Sequence, residues 1–162
     1  MSISRRSFLK LAGLTTVAVA GTALFTGCTV ATYLQIELDE NVRKQICGGE
    51  PTAEQNKLID TYLSLLNLAL FACPMVGVKE LNLEQAMQKI NEALDQAETK
   101  YPDRVDEIAQ IRKYMEMFTI VTDENGKVVA EGFGYGKITV KITTKSKAAA
   151  QALRDALAEA VA

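Results

Sequence analysis

The 162-residue chain contains no histidine. That absence removes whole classes of chemistry. Ser-His-Asp and Cys-His catalysis need imidazole as the base, and most catalytic zinc sites need it as a ligand. Attached c-type haem needs Cys-x-x-Cys-His, which is also missing. Cysteine is scarce, with three residues: Cys28, Cys47 and Cys73. Clustered positive charge is lacking too. Of 18 basic and 20 acidic side chains, Arg5, Arg6 and Lys10 stand in the first 28 residues with no acid beside them. That leaves 15 basic against 20 acidic downstream, a net of −5. Such a balance offers no footprint for a phosphate backbone, so no nucleic-acid partner is expected. What remains, 48% apolar and 23% charged, has the proportions of an ordinary globular protein.

The basic residues at the N-terminus belong to an ordered pattern. Ser4-Arg5-Arg6-Ser7-Phe8-Leu9-Lys10 precedes an uncharged stretch, Leu11 to Gly27, rich in Ala, Gly and Thr. That stretch is short and mild for a spanning helix, which needs about 20 strongly apolar residues. Basic, then apolar, then small residues is the order of a signal peptide. Residues 4–10 resemble the twin-arginine export motif at every specified position: Ser4, Arg5, Arg6, Phe8, Leu9 and Lys10. Leu24-Phe25-Thr26-Gly27-Cys28 resembles a lipobox, with Phe25 departing from the usual aliphatic residue. Cleavage after Ala18-Val19-Ala20, or retention as an uncleaved anchor, are the rival readings.

The resemblance covers residues 4–28 only and identifies the chain as similar to twin-arginine-exported bacterial lipoproteins. It implies recognition by the twin-arginine export machinery and a lipid on Cys28 holding the protein to a membrane. It implies a place in the cell envelope, facing the periplasm or the exterior. Thr29 after the cysteine leans toward the outer membrane where two membranes exist. The route carries folded cargo: fast folders, cofactor proteins, or chains bound to a companion. The residues themselves imply no cofactor. The expected organisation is a signal segment over 1–28 and a single mature globular domain over 29–162.

The expected fold class is α+β: a helical layer of about four helices, then a three-stranded antiparallel meander, closed by a C-terminal helix. Residues 31–47 fit two periods. Leu34, Ile36 and Leu38 alternate as on a strand, while Leu34, Leu38, Val42 and Ile46 share a helix ridge. Asp39 with Arg43, and Glu40 with Lys44, add acid-then-base pairs four apart, which favours a helix ending at Gly48-Gly49. A second helix opens at Thr52, with Gln55 as capping-box partner, and stops before Cys73-Pro74. Its stretch from Tyr62 to Phe71 is apolar almost all round, the mark of a central helix. A third helix starts at Asn82 with Gln85, and a fourth at Asp103. The period then falls to two over Phe118–Val121. Asn125-Gly126 predicts a tight hairpin with positive φ at both residues. Val128–Ala130 returns, and Ile138, Val140 and Ile142 alternate with Thr139, Lys141 and Thr143. A last helix covers 147–161.

Few residues suggest chemistry. Cys47 and Cys73 stand at the ends of consecutive elements, and one disulfide between them is the leading reading, worth about 3.5 kcal/mol. Free buried thiols and a catalytic or metal-binding pair are the alternatives. Gly132, Gly134 and Gly136 lie between two strands, so they suit a bulged turn better than a phosphate loop, which must lead into a helix. Met75, Met115 and Met117 read as core filler rather than a copper site. Asp103, Asp106 and Glu107, and separately Asp123 and Glu124, are paired carboxylates at a helix start and in a polar hairpin. The expected function is a small envelope lipoprotein whose folded domain is a non-catalytic binding or accessory module for an envelope protein partner. The rivals are an enzyme using carboxylate, Tyr or Lys chemistry, and a thiol-based redox or metal protein using Cys47 and Cys73.

Overall fold

The computed structural model describes residues 31–76, 78, 80–131 and 136–162. Over the described residues it is an α+β fold with five α-helices and a mixed five-stranded sheet. In chain order come β1 (Ala31–Glu37), α1 (Glu40–Cys47), α2 (Ala53–Phe71), β2 (Met75–Val76) and α3 (Leu83–Lys100). A 3₁₀ turn (Pro102–Arg104) then leads into α4 (Val105–Met115). After it come β3 (Phe118–Ile120), β4 (Ala130–Glu131), β5 (Lys137–Thr144) and α5 (Lys147–Val161).

The capping chemistry acts where the sequence puts it. Thr52 and Asn82 each accept from the N–H three residues on, and Gln55 and Gln85 return the bond to the cap N–H. Each such cap is worth about 1 kcal/mol. Ser146 caps α5 through the Ala149 N–H. In α3 the buried stripe is Ala86, Ile90, Ala93, Leu94 and Ala97, while Leu83 and Met87 are only partly covered.

Residues 31–47 are not one helix. The strand period wins from Ala31 to Glu37, and the helix begins only after Asp39. Asp39 carries the break: its backbone is extended, and its carboxylate accepts the Val42 N–H at 3.0 Å. Of the two acid–base pairs, Glu40 with Lys44 survives inside α1 at 3.6 Å, while Arg43 turns from Asp39 to α2. What decides β1 is its partner. It runs parallel to β5, Leu34 beside Ile138 and Ile36 beside Val140, and all four are buried.

The meander is likewise altered. β3 and β4 both pair antiparallel with β5, Ile120 opposite Ile142 and Ala130 opposite Val140. They occupy one edge of β5 in tandem, because β1 fills the other. The order is therefore β2-β1-β5-β3, with β4 beside β5. Between β3 and β4 the chain makes the expected hairpin, but with a different turn. Gly126 has φ 78, and no non-glycine among the described residues has positive φ. The Gly126 N–H donates to the Asp123 carbonyl, and Asp123 Oδ1 accepts from the Asn125 and Lys127 N–H groups. A type I turn followed by a left-handed glycine suits this longer loop.

One sheet face, bearing Leu34, Ile36, Ile138, Val140, Ile142 and Ile120, is buried under the helices. The other bears Tyr33, Gln35, Glu37, Thr139, Lys141 and Thr143, half-exposed or exposed. Arginines join the helices. Arg43 on α1 reaches Asn56 and Asp60 on α2, at 3.1 and 2.6 Å. Arg112 on α4 pairs with Asp95 and, at 2.9 Å, with Glu98 on α3. Arg154 on α5 donates at 2.7 Å to the Gln45 carbonyl in the last turn of α1.

α2 also closes a sheet edge. β2 pairs with only the first two residues of β1. Beyond them, the Asn67 amide accepts the Ile36 N–H at 2.8 Å and donates to the Ile36 carbonyl at 3.1 Å. One side chain thus stands in for a strand backbone along an edge that would otherwise be open. Since Phe71 meets Tyr33 and Asn67 meets Ile36, α2 runs antiparallel to β1.

Candidate functional site

The described residues form an apolar pocket of about 80 Å³. It lies where β1 ends, under α1, α2, α4 and α5. Leu38 and Ile46 form one wall, Ile111, Met115 and Phe118 another, and Ile142, Leu153 and Leu157 the floor. The 3.6 spacing of α5 puts Leu153 and Leu157 on one face. The alternation of β5 sends Ile142 to the same side.

The mouth is formed by the partly exposed Tyr62, Leu63 and Tyr114. The two tyrosine rings meet edge-on, centroids 5.4 Å apart and planes at 86°. Burial pushes the Tyr62 phenol well above its ordinary value, and the neighbouring Tyr114 and Glu107 add to the effect. Burial also raises Tyr114, with Glu159 contributing, against a hydrogen bond with Gln110. Both phenols therefore stay protonated at neutral pH. They can serve as hydrogen-bond donors beside an apolar opening, not as bases.

The volume limits what enters. Small-molecule sites commonly enclose about 300–1,000 Å³. A cavity of ~150 Å³ admits benzene. The present cavity has about half that, suited to a branched aliphatic group.

The sequence-predicted residues are placed as follows. Ser4, Arg5, Arg6, Phe8, Leu9, Lys10 and Cys28 lie outside the described residues, as do Gly132 and Gly134. The Cys47–Cys73 disulfide is corrected: both are free thiols. Cys47 ends α1, whereas Cys73 follows α2, a helix about 28 Å long. Two helices joined by a short loop put their C-terminal ends at opposite ends of the second. A disulfide needs Cα atoms within about 7 Å. Burial pushes the Cys47 thiol up, so it is a poor nucleophile. Cys73 is buried with the Lys89 ammonium 3.9 Å from its sulfur.

The methionines are dispersed. Met115 lines the cavity, Met117 packs against the core, and Met75 sits in β2. Asp103 lies 3.3 Å from Arg104, Asp106 is exposed, and Glu107 is 9% exposed. Asp123 is held as a turn acceptor. Among the described residues no group of three or more Cys, Asp or Glu could hold a metal ion. Gly136, at φ 87, gives its carbonyl to the Tyr33 N–H, a strand-entry role.

Sequence reasoning missed Tyr62, Tyr114 and Asn67. A signal existed for two of them: Tyr62 and Asn67, with Ser64, interrupt the largely aliphatic second half of α2. Tyr114 carried none, because its pairing with Tyr62 spans two helices. In comparisons with known proteins, no family model, no curated protein and no solved structure matches the chain.

Proposed function

We propose that the chain is a small envelope lipoprotein, exported by the twin-arginine route and anchored through Cys28. Its folded domain acts as a non-catalytic accessory module for a protein partner. The observation that carries the binding reading is the apolar cavity of about 80 Å³ with two protonated phenols at its rim. An aliphatic side chain of a partner polypeptide matches it in size and polarity. The phenol hydroxyls suit the partner's flanking backbone carbonyls.

The test has two parts. Intact mass of protein extracted from membranes should fit cleavage before Cys28 plus a diacylglyceryl group. A photo-crosslinking residue in place of Leu63 should then give one discrete adduct with another envelope protein. The adduct should vanish in Leu157→Phe, which fills the cavity, provided that variant melts normally. An adduct that persists when the cavity is filled would refute the pocket as the docking point. A full-length, unlipidated chain in the cytosol would refute the placement.

A further inference from the structure

Distance along the chain has a consequence for orientation, one that rests on lipid attachment at Cys28. Three Cα-to-Cα steps join Cys28 to Ala31, where β1 begins, so the two are at most about 11 Å apart in any conformation. The headgroup layer of one leaflet is itself about 5–8 Å deep. A lipidated Cys28 therefore holds the start of β1 at the membrane surface.

The register of the sheet identifies what else lies at that end. Val76 on β2 pairs with Ala31, and Met75 pairs with Thr32. Lys137, the start of β5, lies beside Tyr33. Val76 is 66% exposed, the largest value for a bulky apolar side chain among the described residues. Lys137 is exposed as well. An isolated exposed valine would need no explanation. One on an edge strand, paired with the first residue of β1 only three positions from the anchor, with Lys137 at the same pole on the far side of β1, has the chemistry of a headgroup contact. The tether also holds this surface at high effective concentration near the lipid, so a weak contact suffices.

We infer that the pole bearing Val76, Met75 and Lys137 lies against the bilayer, with Val76 seated among lipid headgroups. The pocket mouth at Tyr62 lies midway along α2, nine residues or about 14 Å from the Phe71 end that meets Tyr33, and Leu38 beyond the far end of β1 lines the same pocket, which leaves it open to a partner.

The chain has no tryptophan, so one introduced indole reports one place. The lipidated mature product, made from the whole chain carrying Val76→Trp, and separately Ala148→Trp at the exposed start of α5, is reconstituted into phosphatidylethanolamine–phosphatidylglycerol vesicles. Some of these lipids carry brominated acyl chains, which quench a nearby indole. Flotation with the vesicles reports anchoring independently of orientation. Val76→Trp should lose roughly half its emission, as expected about 5–10 Å into the headgroup–acyl boundary. Ala148→Trp should lose almost none. Protein that floats but shows equal quenching at both positions, or none at Val76→Trp, overturns the orientation and leaves the anchor standing. Protein that does not float overturns the anchor, and the orientation with it.

Discussion

Asn67 offers the sharpest test of the fold. Its amide satisfies both the N–H and the carbonyl of Ile36, a residue 2% exposed on an edge that β2 does not reach. Asn67→Ala removes both partners at once. A buried polar group left unsatisfied costs about 1–3 kcal/mol. Asn67 is half-buried, so water reaches part of the vacated space and the combined loss should be about 2–4 kcal/mol. With m near 2 kcal/mol/M in urea, the midpoint should fall by about 1–2 M with m unchanged. The Ile36 amide should also exchange with solvent faster than its neighbours in β1. Asn67→Asp separates the two bonds. Its carboxylate can still accept from the Ile36 N–H but faces the Ile36 carbonyl, to which only the protonated acid can donate. That raises the folded-state pKa of the introduced acid above the unfolded value of about 3.9. The stabilisation is then present below the unfolded value and is lost as pH rises through the folded one. Relative to wild type, Asn67→Asp should be less impaired near pH 4 than at pH 7. A midpoint for Asn67→Ala within about 0.2 M of wild type, where two lost bonds predict at least 1 M, would refute the edge-covering role.

Three further outcomes follow from the same structure. Gly48→Ala should destabilise by about 1–2 kcal/mol in urea melts. Its φ is +77, and the added carbon would sit 3.3 Å from Arg154 Nε. Both thiols should be free in the native protein, with equal masses before and after reduction. A thiol reagent should modify half-buried Cys47 slowly and buried Cys73 only on unfolding. A two-hydrogen mass difference would contradict this. Tyr62 has a folded-state pKa raised above 10.0 by burial, so the stabilisation it carries is present below pH 10 and lost as pH rises beyond it. Melting temperature should therefore fall from pH 9 to 11, and Tyr62→Phe should flatten part of that slope. An unchanged slope would show that the phenol is not desolvated.

Local information was enough wherever the deciding partners lie within a few residues. The caps at Thr52 and Asn82, most of the stripe of α3, the alternation of β5 and the place, though not the type, of the turn at Asn125-Gly126 each depend on neighbours within about five positions. The sequence shows them directly. The α+β class came out of the same patterns, and at that coarse level it holds; the first strand and its parallel pairing with β5 did not come with it.

The remainder depended on residues distant in the chain. Leu34 and Ile36 satisfy both a helical and a strand period, and what settles them is a ladder to Ile138 and Val140 about a hundred positions on. Backbone hydrogen bonds across that distance leave no trace in local spacing. The same holds for the separation of Cys47 from Cys73, which only the path of α2 decides. It holds for the Asn67 bond to Ile36, and for the meeting of Tyr62 with Tyr114 over a cavity assembled from six elements. Short-range capping and periodicity reside in the order of the residues. Strand partnership, edge closure and enclosed volume arise only once the chain is folded, because their energies come from groups that the covalent sequence keeps apart.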